Sequence, residues 1–189
     1  MAVPPDGDLT DPERYPCGAV FAARRSRTWN DRAMERPYPP NDADEREMLL
    51  GWLAFQRGSL VSKLDGLNEA DARSVPLPGA NSVLGLVKHL AGAEARWIDG
   101  VFLGGPVAPL GEDEFTAEAG RMVADFVDDY AVRTALTDAV IRRSCLDDAT
   151  VLNAEWTLRW VVVHLIEETA RHAGHADIAR QAVDGATGR

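Results

Sequence analysis

The chain has 189 residues, 46% of them hydrophobic, and a formal charge of −10. That length and apolar content suit one domain with a substantial core. No apolar run approaches the ~18 residues of a membrane span, and the acidic balance argues against nucleic acid as a partner, because phosphate binding needs a basic face.

Residues 1–40 hold seven of the 11 prolines and no sustained periodicity, which predicts a mobile Pro-rich arm ahead of a body at 41–189. The run ARRSR at 23–27 is followed by no apolar stretch, so a twin-arginine export signal is not expected. A natural translation start at Met34 is the simpler expectation. The pattern then predicts a first helix over about 43–66, with Leu49, Trp52, Leu53, Leu60, Val61 and Leu64 inward. VPLPGANS (75–82) reads as a loop, and Asn81 or Ser82 as the N-cap of a second helix over about 82–103. That helix is amphipathic through Val83, Leu86, Val87, Leu90, Trp97, Ile98 and Val101. LGGPVAPLGEDEF (103–115) is a loop by its Gly and Pro content. A third helix over about 117–144 turns Met122, Phe126, Tyr130, Val140 and Ile141 inward, DATVLNAEW could hold a short extended piece, and a fourth helix spans about 157–183. The acidic clusters EAD (69–71) and GEDEF (111–115) read as solvated faces. The fold class is therefore all-α, a four-helix bundle with long connections and a site between facing helices.

The fourth helix carries three of the four histidines. At about 100° per residue, His164, Glu168, His172 and His175 line one stripe, in a segment whose first half (Val161, Val162, Val163, Leu165, Ile166) is apolar nearly all round. Buried ionisable groups need partners or a metal. With a rise of ~1.5 Å per residue, His164 and His172 lie about 12 Å apart along the axis, too far to share one ion. Three pairs can chelate from one face: His164 with Glu168, Glu168 with His172, or His172 with His175. Glu167 points about 100° off the stripe. One helix rarely completes a site, and the remaining histidine, His89, borders the apolar face of the second helix through Leu86, Ala93 and Trp97. Taken alone it reads as a hydrogen-bonded core histidine; the stripe opposite makes it a ligand candidate.

The runs TLRWVVVHLIEETARHAGHAD and LVKHLAGAEARW, with the leading ADEREMLLGWLAFQR and the trailing VDGATG, resemble the DinB-like superfamily over roughly residues 35–188. These are four-helix metal proteins that include mycothiol-dependent maleylpyruvate isomerase and related thiol transferases; the likeness is greatest to a mini-circle-type actinobacterial branch. In the superfamily, one histidine of the second helix joins two residues spaced by four on the last helix, either His-x-x-x-His or, as in the isomerase, Glu-x-x-x-His. The resemblance thus selects His89, Glu168 and His172 as metal ligands. It leaves His164 and His175 as candidates for supporting hydrogen bonds or proton shuttling. A His-His-Glu set is a common catalytic zinc set, and nickel, iron or manganese also suit it.

By the same resemblance, the open metal position takes the sulfur of a low-molecular-weight thiol such as mycothiol, whose thiolate attacks an electrophile in S-transfer or isomerisation. Arg159 and Arg171 flank the stripe as candidate partners for substrate carboxylates, against their plainer role as solvated surface charges. Trp156 and Trp160 read as helix-start packing. The arginine-rich composition, with only Lys63 and Lys88 as lysines, is compatible with a mycothiol-using host. Cys17 and Cys145 lack CxxC spacing and suit a reducing cytoplasm. A homodimer is compatible with this reading. The competing expectation is a non-catalytic metal-binding stress-response protein, and a third is a buried polar network without metal.

Overall fold

The computed structural model describes residues 38–39, 41–106, 111 and 113–187. Apart from Tyr38 and Pro39, the expected arm lies outside the described residues. Helix α1 (Glu45–Val61) starts at Asp44, whose carboxylate accepts from the Glu47 N–H at 2.9 Å, and tightens into a 3₁₀ turn at Ser62–Leu64. A five-residue helix α2 (Glu69–Arg73) follows, capped by Asn68. It falls on the EAD cluster that had read simply as a solvated face. Helix α3 (Val83–Ala95) is capped by Ser82 and continues as a π-helical stretch, Arg96–Phe102. Helix α4 is Val123–Arg143, and α5 is Leu158–Asp184, from the Thr157 cap to Gly185 in the left-handed conformation (φ 77°).

Among the described residues these elements form an all-α bundle. Helix α1 packs on α5 and α4, and α3 packs on α4 and α5. Two expectations fail. Helix α4 begins at Val123, not near 117, because residues 113–122 are engaged elsewhere; Met122 is its cap residue and is 55% exposed. Trp52 is also exposed, because Leu50 and Leu53 take the inward positions of α1, and its ring packs instead with Tyr38 and Phe55. The DATVLNAEW segment holds one isolated antiparallel bridge, Ala149 with Thr157.

The core has two halves. One gathers Leu60, Leu64, Val83, Leu86, Val87, Leu90, Phe126 and Ala176; the other gathers Leu50, Leu53, Ile98, Phe102, Ile141, Leu158, Val161 and Leu165. Fully burying a side chain of this size stabilises by ~1.5–3 kcal/mol. Between the halves, in chain position, lies a buried ion-pair layer. Arg57 of α1 grips the Glu94 carboxylate of α3 through Nε and Nη2, each at 2.7 Å, and reaches Asp138 of α4 through Nη1 at 2.7 Å. Arg57 and Glu94 are almost fully enclosed. Three helices are thereby fixed in axial register, since a sliding helix would strand a buried charge.

Candidate metal centre

His89, buried on α3, faces Glu168 and His172 across the α3–α5 contact. One potential ligand atom from each of these residues lies within 4.8 Å of the others. His89 Nε2 is 3.3 Å from Glu168 Oε1, and His172 Nε2 is 3.2 Å from the same oxygen. The two α5 residues converge because a spacing of four places them one turn apart on one face. Of the three pairings left open by helical geometry, this is the one that meets His89.

The second nitrogen of each imidazole is also engaged. His89 Nδ1 lies 2.9 Å from Glu114 Oε1, and Arg96 pairs with that same oxygen. His172 Nδ1 lies 3.3 Å from His175 Nδ1. A neutral His89 that donates from Nδ1 to Glu114 has a bare Nε2, and that lone pair is aimed at a carboxylate oxygen. Two facing lone pairs repel unless a proton or a cation sits between them. Three convergent donors, two imidazole nitrogens and a carboxylate oxygen, fit a borderline divalent metal with a position left open.

The local electrostatics favour the ligating forms. Burial opposes ionisation of Glu168, but the His89 and His172 rings against its carboxylate outweigh this and hold its pKa below the ordinary 4.5. For His172, burial and then the neighbouring His89 lower the pKa below 6.5, against the opposing pull of Glu168. At neutral pH its ring is therefore neutral.

The remaining sequence candidates are distributed differently. His175 is exposed and touches the cluster only through His172. His164 belongs to an aromatic group: its ring stacks on Trp160 (5.4 Å, 7°) and meets Trp97 at 4.2 Å, with Trp156 stacked on the far face of Trp160. Its side chain makes no hydrogen bond to the triad. Arg159 is engaged by Glu45 and Asp147. Arg171 pairs with exposed Glu167 and stands 3.6 Å from Glu168 Oε2, bracing the inward carboxylate. Trp156 and Trp160 do pack at the start of α5, around Trp97.

The sequence reading missed Glu114 and Arg96. Glu114 sits in the GEDEF cluster read as solvated, yet its side chain is only 13% exposed. Its signal was faint: Phe115, a large apolar residue beside three acids, stacks on the His89 ring at 4.2 Å and 18°.

The bundle is similar to the crystal structure of a conserved protein from Enterococcus faecalis, at a TM-score of 0.59 and 18% identity over 76% of this chain and 99% of that one, a likeness of fold. No curated protein matches the chain. A family model described as mycothiol-S-transferase matches residues 48–185, a span that includes α1 through α5 almost entire and all three convergent residues. The chain belongs to the mycothiol-S-transferase family.

Proposed function

We propose that the protein is a metal-dependent thiol S-transferase in which His89, Glu168 and His172 hold a divalent cation, zinc by preference, and mycothiol is the thiol. The observation that carries this reading is the convergence of three ligand atoms within 4.8 Å on one buried face, in a chain of the mycothiol-S-transferase family. A cation with an open position supplies acidity: it lowers the pKa of a thiol placed there, so that the sulfur is nucleophilic at neutral pH.

The chain's own residues do the rest. Glu168 and the two imidazoles fix the position at which sulfur is presented. His175, exposed and in contact with His172 Nδ1, is our candidate to support that ring by a hydrogen bond or to shuttle a proton to water. His164 contributes an aromatic wall with Trp97 and Trp160, rather than a proton path. In transfer, a carbon–sulfur bond forms to the electrophile while the bond to its leaving group breaks, and the leaving group departs with that electron pair. In isomerisation, addition and loss of the same thiol bracket the rearrangement. Among the described residues no helix is long and apolar enough to cross a membrane. We place the protein in the cytoplasm with the thiol pool, with small molecules rather than nucleic acid as partners.

The test is elemental analysis of the purified protein, followed by thiol-dependent turnover of a panel of electrophiles with mycothiol, glutathione and cysteine. About one metal per chain, with a rate that saturates in mycothiol, supports the reading. Bound metal with no acceleration of any thiol addition would leave a non-catalytic metal protein, and no metal at all would remove the centre.

A further inference from the structure

We infer that Glu114 is a positioning residue: held on α3 by a short strap, it locks His89 in the Nδ1–H tautomer with Nε2 aimed at Glu168 and His172. This rests on the proposed metal reading of the triad and adds what prepares its one ligand from outside α5.

The strap is residues 113–116, and α3 is built to receive it. Gly85, Lys88, His89 and Arg96 lie within a sector of about 100° on that helix. Gly85 permits the approach, because a Cβ there would stand 2.0 Å from the Phe115 carbonyl oxygen. Lys88 Nζ donates to the carbonyls of Asp113 (2.9 Å) and Thr116 (2.7 Å), clamping the strap on either side of Glu114. The Phe115 ring then lies flat on His89, and Glu114 Oε1 meets Nδ1 at 2.9 Å with Arg96 on the same oxygen. The ring is thus held by a face contact and an edge contact together. Its two nitrogens are unequal: Nδ1 looks at a carboxylate within the strap, and Nε2 looks at the other two members of the triad. Both nitrogens face a carboxylate oxygen, but the Glu114 contact is the shorter, 2.9 against 3.3 Å, and the strap holds it in place. A single ring proton is therefore favoured on Nδ1, which leaves the lone pair on Nε2. A carboxylate behind a ligating histidine raises its basicity and fixes its orientation, and losing such a partner costs about 10–100-fold in metal affinity.

The experiment has two arms. In metal-free protein with 15N-labelled histidine, long-range proton–nitrogen spectra report the His89 tautomer. Wild type is expected as Nδ1–H, and Glu114→Ala as Nε2–H or a mixture. In the second arm, zinc affinity is measured by competition with a chelator of known strength. Glu114→Ala is expected to bind about 10–100-fold more weakly, and Glu114→Gln, whose amide oxygen still accepts from Nδ1–H, to recover most of the loss. Wild-type His89 as Nε2–H overturns the inference, and so does unchanged zinc affinity in a folded Glu114→Ala. If that variant fails to fold, the wild-type tautomer and Glu114→Gln decide. Wild type that takes up no zinc defeats the metal reading instead, while the first arm still decides whether Glu114 sets the tautomer.

Discussion

Two buried polar clusters lie in this bundle, and they differ in how their charges close. Around Arg57 the charges pair: the guanidinium spans Glu94 and Asp138 through three bonds of 2.7 Å. Around His89 the reverse holds, with two imidazole nitrogens and a carboxylate oxygen turned toward one another. The first cluster pairs its charges and ties α1, α3 and α4. The second turns two imidazole nitrogens toward one carboxylate oxygen, and its outer nitrogens have partners of their own in Glu114 and His175. Burial and ionisable side chains are common to both; the sum of donors and acceptors separates a structural layer from a candidate site.

The largest expected effect breaks the first cluster. Arg57→Met leaves Glu94 enclosed without its cation and is expected to destabilise by ~3–5 kcal/mol in urea unfolding. Metal content per folded molecule should be unchanged. If that variant loses metal while remaining folded, the two clusters are not independent.

His172→Ala acts on the second cluster and should show the opposite pattern. It is expected to abolish metal uptake and to lower the melting temperature of metal-treated protein toward that of the metal-free form. The stabilisation removed is about 2.7 kcal/mol for wild type at a metal concentration 100 times its Kd. Metal-free stability should change far less, and His175→Ala should retain metal. Full metal content in His172→Ala would defeat the assignment of the triad.

A matched pair sharpens the comparison within one helix. Glu168→Ala is expected to abolish thiol addition, whereas Glu167→Ala removes an exposed pair with Arg171 worth only ~0.3–0.5 kcal/mol and should leave the rate nearly intact. Equal losses in both would mean that the carboxylate on the stripe has no special part.

The smallest effect concerns Tyr130, fully buried beside Glu94 and Arg57. Burial, and then the negative charge of Glu94, push its pKa well above the ordinary 10.0. The folded chain therefore keeps a proton that the unfolded chain releases, so stability falls as pH rises above about 10. Tyr130→Phe should flatten that alkaline slope while changing stability at pH 7 by less than ~1 kcal/mol. An unaltered slope would assign it to other groups.

What the sequence made legible was mostly periodic. Helix α5, expected at 157–183, runs Leu158–Asp184, because an apolar first half and a Thr cap mark it locally. The pair Glu168 and His172 was one of three open choices by spacing, and the family resemblance selected it together with His89. Non-local features were harder to read. Glu114 reaches His89 across 25 positions, and nothing in an acidic loop announces that Lys88 and Gly85 will draw it inward. The Arg57–Glu94 pair was hidden for the same reason, since charged residues within amphipathic helices ordinarily mark the wet face. Trp52 and Met122 erred in the other direction: hydrophobicity set their expected side, but the neighbouring Leu53 and the cap position decided it.

The π-helical stretch has a consequence for how this chain can change length. The Leu103 N–H reaches back five residues to the Ile98 carbonyl at 3.0 Å, and the widened turn leaves the Val101 and Phe102 carbonyls to accept from Leu152 and Val151, both at 3.1 Å. Deleting one residue within 96–102 would let the stretch relax to an ordinary α-helix. Because a π turn holds about one residue more than an α turn, that deletion would take up the extra residue and leave everything beyond it facing nearly as before. Related chains should therefore absorb a one-residue length change here, by exchanging the π turn for an α turn, while both carbonyls keep their partners and the face bearing Gly85, Lys88 and His89 stays in place.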